Sequence, residues 1–220
     1  MPEDPKKRKS LKPDVESLTR LPAMSGCPSG ALFGLGSGSR PNRNTGVLLT
    51  LGSDGSVEGD ARHIDLTPLY APLSSQFAEL NIEGALVVGD ELLLLQRGNK
   101  GGSPNACIHV AWAEVLPWLL GHSAAPVQAT AVQRYDLGEV DGVPLCFTDG
   151  SALPGGAWVF SAVAESVDDS YNDGSVRGRV DRHCRRQGNA ALHAGAGTEL
   201  QGGGHCGGSR RRRADVDHGD

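Results

Sequence analysis

The chain has 220 residues, of which 31 are glycine, 13 are proline and only ten are aromatic. This composition lacks the G-X-Y period of collagen and excludes a coiled coil, and no apolar run reaches the roughly 18 residues of a membrane span. The net charge of −5 is unevenly distributed: residues 1–12 carry +3, residues 13–175 carry −12 and residues 176–220 carry +4. Because nucleic-acid binding needs a basic face, we do not expect a nucleic acid as the partner. The lack of a long apolar run leads us to expect no membrane partner either.

The five cysteines are odd in number and have no C-x-x-C spacing. The first residues lack the charged, apolar and small-residue succession of a secretory signal. These features favour a reduced, cytoplasmic setting, unless a signal peptide has been lost together with an upstream segment.

Three stretches in the centre of the chain share one pattern: an acidic residue, a small residue, an apolar strand, a glycine-containing turn and a second strand. The acidic residues are Glu16, Glu83 and Asp149, which are almost evenly spaced. A fixed period of this kind indicates stacked or radially arranged supersecondary units. After a basic segment at 1–12, the predicted units are residues 13–80, 81–146 and a partial unit at 147–175.

Turn signals within the units predict antiparallel strands. In the first unit, strands near 46–51 and 57–66 flank Asp54-Gly55, which is a strong hairpin signal. In the second unit, Gly89-Asp90 supplies the corresponding turn. A clean alternation over 127–137 predicts the last strand of that unit.

Helical spacing is confined to the connectors. Six apolar residues between the first two units fall at helical intervals, with Thr67-Pro68 as the first turn, and Pro72 limits the helix to a short one. The apolar stretch 111–120 contains Pro117 and is left without an assignment. Helices this few and short cannot cover a parallel sheet, so a doubly wound fold is disfavoured.

Residues 176–220 differ from the rest of the chain. They contain nine arginines and ten glycines, no aromatic residue and only five valines or leucines. A segment that buries so little apolar surface does not offset its ordering entropy, which predicts a disordered tail. A second interpretation is a reading-frame shift after Ser175 in a GC-rich gene.

The fold prediction is therefore all-β: a partial β-propeller of about two and a half four-stranded blades, followed by the tail. Over residues 6–175 the chain resembles an uncharacterised bacterial β-propeller family related to the phytase-like (esterase-like) propellers. The resemblance rests on six short motifs: KPDVE at 12–16, GSGSR at 36–40, LNIEG at 80–84, LQRGN at 95–99, FTD at 147–149 and AES at 164–166. It implies a funnel-shaped propeller with an acidic channel that can hold calcium.

The repeated acids are the candidate metal ligands. In a propeller the first strand of each blade lines the channel, so Glu16, Glu83 and Asp149 would converge there, and their oxygens suit Ca²⁺. Alternatively these acids bond to the backbone and tie strands together. The candidate ligand-binding residues are Arg40, Arg43, Asn81, Arg97 and Glu165. The arginines follow the second strands and would either bind an anionic group or pair with the acids.

The sequence is compatible with three functions. The first is a propeller that binds a small anionic ligand or a protein without catalysis. The second is a calcium-assisted hydrolase of phosphate or carboxylic esters, of the phytase-like type. The third is a truncated product without activity, because an open propeller fragment leaves its ring unclosed.

Overall fold

The computed structural model describes residues 15–98 and 102–165, together with the backbone of residues 176–185 and 193–194. These residues form three consecutive antiparallel sheets. The predicted basic segment at 1–12 and the remainder of the predicted tail lie outside the described residues.

The first sheet is an up-and-down meander of four strands in chain order. Its strands are β1 (Val15–Leu21), β2 (Ala31–Gly36), β3 (Thr45–Leu51) and β4 (Val57–Asp65). The predicted turn at Asp54-Gly55 is confirmed: Gly55 has a φ of +83° and its N–H donates to the carbonyl of Gly52 at 3.0 Å. A positive φ is readily adopted by glycine, which is why this dipeptide reverses the chain here.

The second sheet repeats the meander. Its strands are β5 (Ile82–Val88), β6 (Glu91–Gln96), β7 (Asn105–Ala111) and β8 (Ala131–Tyr135). The predicted Gly89-Asp90 turn joins β5 to β6, and Gly89 has a φ of +61°. The predicted strand over 127–137 is shorter than expected. β8 is the outermost strand of this sheet, so the alternating residues in the middle of the predicted strand are exposed or partly buried. Only Val127 and Leu137, the two ends of the predicted alternation, are buried.

The third sheet extends further along the chain than the sequence predicts. Its strands are β9 (Glu139–Val140), β10 (Val143–Ala152), β11 (Ala157–Glu165), β12 (Val176–Arg185) and β13 (His193–Ala194). β12 pairs with β11 along its whole length, so the sheet continues past Ser175, where we expected tail. Backbone pairing between strands needs little apolar surface, and composition alone therefore misses such a strand.

The connectors carry the helices. The predicted short helix is confirmed as α1 (Thr67–Tyr70), followed by a 3₁₀ turn at Ala71–Leu73. All six of the apolar residues at helical spacing are buried: Leu66, Leu69, Tyr70, Leu73, Phe77 and Leu80. The unassigned stretch is also helical, as α2 (Trp112–Leu119), which contains Pro117 in its second half.

Two apolar cores separate the three sheets. The first core lies between the first and second sheets, where it includes Phe33, Ile82 and Trp118. The second lies between the second and third sheets around Phe147 and Phe160, whose rings meet edge to face at 4.8 Å. The first long strand of each sheet contacts the first long strand of the next: β1 touches β5, and β5 touches β10, which follows the two-residue β9. We call β1, β5 and β10 the first strands of their sheets.

The backbones of β5 and β10 come unusually close at Gly84. A Cβ placed on Gly84 would lie 3.2 Å from the backbone of Asp149 and 2.9 Å from Leu95 Cδ1. The absence of a side chain therefore sets the spacing between the second and third sheets.

The buried amide of Asn105 fastens the two sheets together. Its Nδ2 donates to the carbonyl of Leu145 at 2.8 Å, and its Oδ1 accepts from the N–H of Phe147 at 3.1 Å and of Gly98 at 3.0 Å. One side chain on β7 thus satisfies two backbone groups of β10, which buried backbone groups require.

Replacing this amide should destabilise the fold. We expect Asn105→Ala to lower the free energy of unfolding by about 2–3 kcal/mol, because it leaves two buried backbone groups of β10 and the partly buried N–H of Gly98 without their hydrogen bonds. Urea unfolding measures the change. The exposed Gln133→Ala on β8 is the control and should stay within about 0.5 kcal/mol of the wild type. An Asn105→Ala variant as stable as this control would show that the amide does not join the sheets.

Candidate functional site

Each of the three first strands contains a β-bulge at the same place. Glu16 lies between the pairs Val15↔Gly36 and Ser17↔Leu35, and Glu83 lies in the same way between Ile82 and Gly84. A bulge leaves one extra residue that opposes no partner and re-aims its side chain. The repeated acids of the first two units therefore occupy equivalent positions.

In the third sheet the bulged residue is Thr148, one residue before the acid that the repeat aligned with Glu83. Phe147 pairs with Ala162 and Asp149 with Ser161, so Asp149 lies beyond the bulge. Asp149 is exposed and accepts a hydrogen bond from the N–H of Gly150 at 2.7 Å. The expected alignment of three acids is thus wrong by one residue in the third unit, because a strand register is invisible in the spacing of motifs.

Four of the candidate residues come together at the ends of β5, β6 and β11. The Arg97 guanidinium pairs with Glu83 Oε1 at 3.5 Å through Nη1, and its Nη2 donates to Glu165 Oε2. Asn81 Nδ2 donates to the same Glu83 oxygen at 2.8 Å. We call these four residues, Asn81, Glu83, Arg97 and Glu165, the inter-sheet cluster.

Buried hydrogen bonds hold the inter-sheet cluster in place. Gln96 is fully buried, and its Oε1 accepts from the N–H of Asn81 at 2.7 Å. Its Nε2 donates to the carbonyls of Arg97 at 2.7 Å and of Glu79 at 3.1 Å. The backbone on both sides of the cluster is therefore fixed, so the charged side chains are positioned before any ligand binds.

Burial differs sharply among the charged groups. The side chain of Arg97 is 11% exposed and that of Glu83 is 15% exposed, whereas that of Glu165 is 39% exposed. The Nε of Arg97 is buried and has no hydrogen-bond acceptor among the described residues. Glu165, as the last residue of β11, is thus the member of the cluster that solvent reaches most easily.

Desolvation raises the pKa of Glu83 above its ordinary value of 4.5. The Arg97 charge and the hydrogen bonds from Asn81 and Arg97 act in the opposite direction, and the charge of Glu165 adds to the increase. Burial dominates because removing a carboxylate from water costs more than one shared cation returns.

Cys146 lies beside the inter-sheet cluster on β10. Burial raises the pKa of its thiol, although the nearby Arg97 charge opposes that increase. Its Sγ donates to the carbonyl of Pro144 at 3.8 Å. A thiol of raised pKa is a poor nucleophile at neutral pH, so Cys146 is a neutral wall of the cluster.

The remaining candidates lie on the first sheet. Arg40 is exposed and precedes the 3₁₀ turn Pro41–Arg43, and Arg43 Nη1 donates to Ser39 Oγ at 3.0 Å. Glu16 is partly buried at the bulge of β1. In register, Ser37 rather than either arginine corresponds to Arg97, since Gly36 pairs with Val15 as Gln96 pairs with Ile82.

No group of three or more His, Cys, Asp or Glu side chains in the described part of the chain could hold a metal ion. The two carboxylates that do approach each other share Arg97, which already balances part of their charge. Among the described helices, none has the length and apolar character to cross a membrane.

Sequence reasoning missed Cys146, Thr148, Gln96 and Asn105. Gln96 and Asn105 could have been identified as polar residues within otherwise apolar strands, because a buried side-chain amide almost always forms hydrogen bonds. Cys146 and Thr148 carry no such signal: their places depend on the β10 register.

The pH dependence of stability should reveal the raised pKa of Glu83. A raised folded pKa means that the contribution of this group to stability is full below its ordinary pKa and is lost as the pH rises through the folded value. Glutamine does not titrate. We therefore expect Glu83→Gln to gain stability relative to the wild type in urea unfolding as the pH rises above the ordinary pKa of 4.5.

The exposed Glu139→Gln variant controls for the loss of one carboxylate. If instead the wild type gained stability over Glu83→Gln as the pH rose, the Arg97 ion pair would outweigh desolvation.

Comparison with known proteins places the chain in a family. No curated protein and no solved structure matches it. Residues 8–184 match a family described as a family of unknown function (DUF6910), and the match ends one residue before the end of strand β12. Because the match covers most of the 220 residues, the chain belongs to this family of unknown function, DUF6910.

Proposed function

We propose that the three sheets are consecutive blades of a β-propeller that binds a small anionic ligand at the inter-sheet cluster, without catalysis. The observation that carries this proposal is the single buried guanidinium of Arg97, shared by Glu83 of its own sheet and Glu165 of the next.

The propeller architecture is supported by the way the sheets repeat. Each sheet is a meander, neighbouring first strands contact one another, and each first strand has its bulge at the equivalent residue. Radial repetition of four-stranded meanders with inner first strands is the arrangement of propeller blades. It also agrees with the resemblance to the phytase-like propellers.

Binding is favoured over catalysis by the chemistry of the cluster. Nucleophilic catalysis needs an activated nucleophile next to a base, and general acid–base catalysis needs a side chain that is free to exchange a proton with the substrate. Glu83 is tied to Asn81 and Arg97, and the pKa of the Cys146 thiol is raised. The nearest described pairing of an imidazole with an acid, His109 Nδ1 with Glu91 Oε2 at 3.3 Å, lies at the opposite end of β6.

The proposed ligand enters by exchange with Glu165. An incoming carboxylate or phosphate takes the Nη2 side of Arg97, and the exposed Glu165 side chain turns into solvent. Glu83 and Asn81 remain in place and keep the guanidinium oriented. The Nη2 group that Glu165 leaves can donate a charge-assisted hydrogen bond, which carboxylate and phosphate oxygens accept.

Glu165→Gln should strengthen anion binding. Removing the competing carboxylate frees a charge-assisted hydrogen bond, so the affinity for inorganic phosphate and acetate should rise about tenfold. Isothermal titration calorimetry with each probe measures it. Arg97→Gln should abolish binding, whereas Arg20→Gln, which removes an exposed arginine of β1, should leave it unchanged.

If neither phosphate nor acetate bound to Glu165→Gln, the inter-sheet cluster would be a structural ion pair and not a ligand-binding site. The calcium-assisted hydrolase makes a different prediction: CaCl₂ below about 1 mM would raise the melting temperature of the wild type and not of Glu83→Gln. That result would replace the anion-binding function by the metal-dependent one.

A further inference from the structure

A cavity of about 600 Å³ lies between the first sheet and α2, the helix that joins β7 to β8. Its apolar walls are Ile64, Pro68, Trp118 and Leu119, and its polar lining includes Arg62 of β4. Small-molecule sites have volumes in this range and combine apolar walls with a few polar groups. We call this space the helix cavity. Among the described residues that line it, none belongs to the inter-sheet cluster.

The guanidinium of Arg62 is held beside the helix cavity by the end of α2. Its Nη2 donates to the carbonyl of Leu119, the last residue of α2, at 2.6 Å. Carbonyls in the last turn of a helix have no partner within the helix and carry a partial negative charge, so a cation is favourable there. This hydrogen bond fixes the position of a charge on an otherwise exposed side chain.

The chain that follows α2 is held against the helix. Gly121 has a φ of +74°, and its N–H donates to the carbonyl of Trp118 at 2.9 Å. The N–H of His122 donates to the carbonyl of Pro117 at 2.8 Å. These two bonds form the glycine-ended helix terminus known as a Schellman motif. They keep His122 and Ser123 beside the helix cavity, which both residues line.

The positive charge of Arg62 is not balanced by a nearby acid. Side chains alternate along β4, so Arg62 shares the face of the buried Ile64, whereas Asp65 lies on the opposite face. Asp65 also lines the helix cavity, but its Oδ1 accepts from the N–H of Thr67 at 2.9 Å. Among the described residues, no carboxylate forms an ion pair with Arg62. The helix cavity therefore has a positioned cation without an anion.

Trp118 gives the helix cavity an aromatic wall of defined position. Its indole packs edge to face on Phe33, with the ring centroids 6.3 Å apart. The residue is only 7% exposed, so its neighbours hold the ring in one place. Aromatic rings pair favourably with one another, and a ring held in this way offers a ligand a specific contact surface.

We propose that the helix cavity binds a small organic carboxylate that carries an aromatic ring. The carboxylate accepts from the N–H groups of Arg62 that Leu119 does not use, because a guanidinium has several donors in one plane. The ring packs against Trp118 and Ile64, which removes apolar surface from water. The ligand thus supplies the anion that Arg62 lacks. The site is separate from the inter-sheet cluster and requires no propeller architecture.

Phenylacetate is the probe that combines the ring and the charge. The chain has three tryptophans, so its indole N–H groups give three signals in a ¹H–¹⁵N spectrum, and Trp118→Phe identifies the signal of Trp118. Phenylacetate should shift this signal saturably with a Kd of about 1 mM or below. The signal of Trp158, in the second core, should stay in place. Acetate, which lacks the ring, and benzyl alcohol, which lacks the charge, should each bind at least about tenfold more weakly.

Two kinds of variant remove the site. Arg62→Gln removes the cation and should weaken phenylacetate binding at least about tenfold, whereas Arg62→Lys keeps the charge and should retain most of the affinity. Ala124→Phe fills the helix cavity from an exposed position and should abolish binding without changing a buried residue. In each variant, unshifted signals of the other two tryptophans show that the protein is folded.

Arg20→Gln is the matched control for Arg62→Gln. Arg20 is also exposed, and its Nη2 donates to a carbonyl, that of Ser29, but it does not line the helix cavity. This variant should bind phenylacetate as the wild type does.

Two results would overturn the proposal. The first is a Trp118 signal that does not move at about twenty times the expected Kd. The second is equal binding by Arg62→Gln and the wild type. Arg97→Gln should leave the shift of Trp118 unchanged. If Arg97→Gln abolished phenylacetate binding and Arg62→Gln did not, the probe would bind at the inter-sheet cluster, which would overturn this site and support the anion-binding function.

Discussion

The amide of Asn105 is the interaction on which the arrangement of the second and third sheets depends. A strand that packs against a neighbouring sheet without belonging to it has backbone N–H and C=O groups that are buried in protein. These groups have no adjacent strand with which to form hydrogen bonds. Asn105 satisfies two such groups on β10, on either side of Cys146. With that strand fixed, β11 is fixed by its ladder to β10, and Glu165 comes within reach of Arg97.

The inter-sheet cluster is an electrostatic compromise. One guanidinium serves two carboxylates, and neither acid is fully compensated. The more buried acid responds through a raised pKa, and the more exposed one retains access to water. Such an arrangement contributes little to stability, because the desolvation of buried ions offsets their attraction. Its effect is on orientation, since it holds one guanidinium between two carboxylates at the junction of two sheets.

Local signals in the sequence were sufficient for most of the fold. Asp54-Gly55, Gly89-Asp90 and the helical spacing after Leu66 each mark an element that the structure contains. Pairing of the arginines with the repeated acids was one of two interpretations of the sequence, and Arg97 with Glu83 is such a pair in the structure. The bulge at Thr148 did not, because one extra residue shifts a register without changing the motif around it. β12 was missed because strand pairing uses backbone groups, which composition does not report. The helix at Trp112–Leu119 was obscured by Pro117, which it tolerates within its last turn.

The bulges of the first strands let the chain meet two requirements that normally conflict: a polar side chain at one position and an unbroken alternation of apolar residues for the core. In a regular strand every side chain belongs to one face or the other, so changing a binding residue disturbs the alternation on which the core depends. An extra residue opposite no partner is outside that alternation. Glutamate occupies this place in two sheets and threonine in the third, while the residues before it, Val15, Ile82 and Phe147, keep their apolar character. A change of the bulged residue can therefore alter the chemistry of the surface between the sheets at little cost to folding, much as loops vary on other scaffolds.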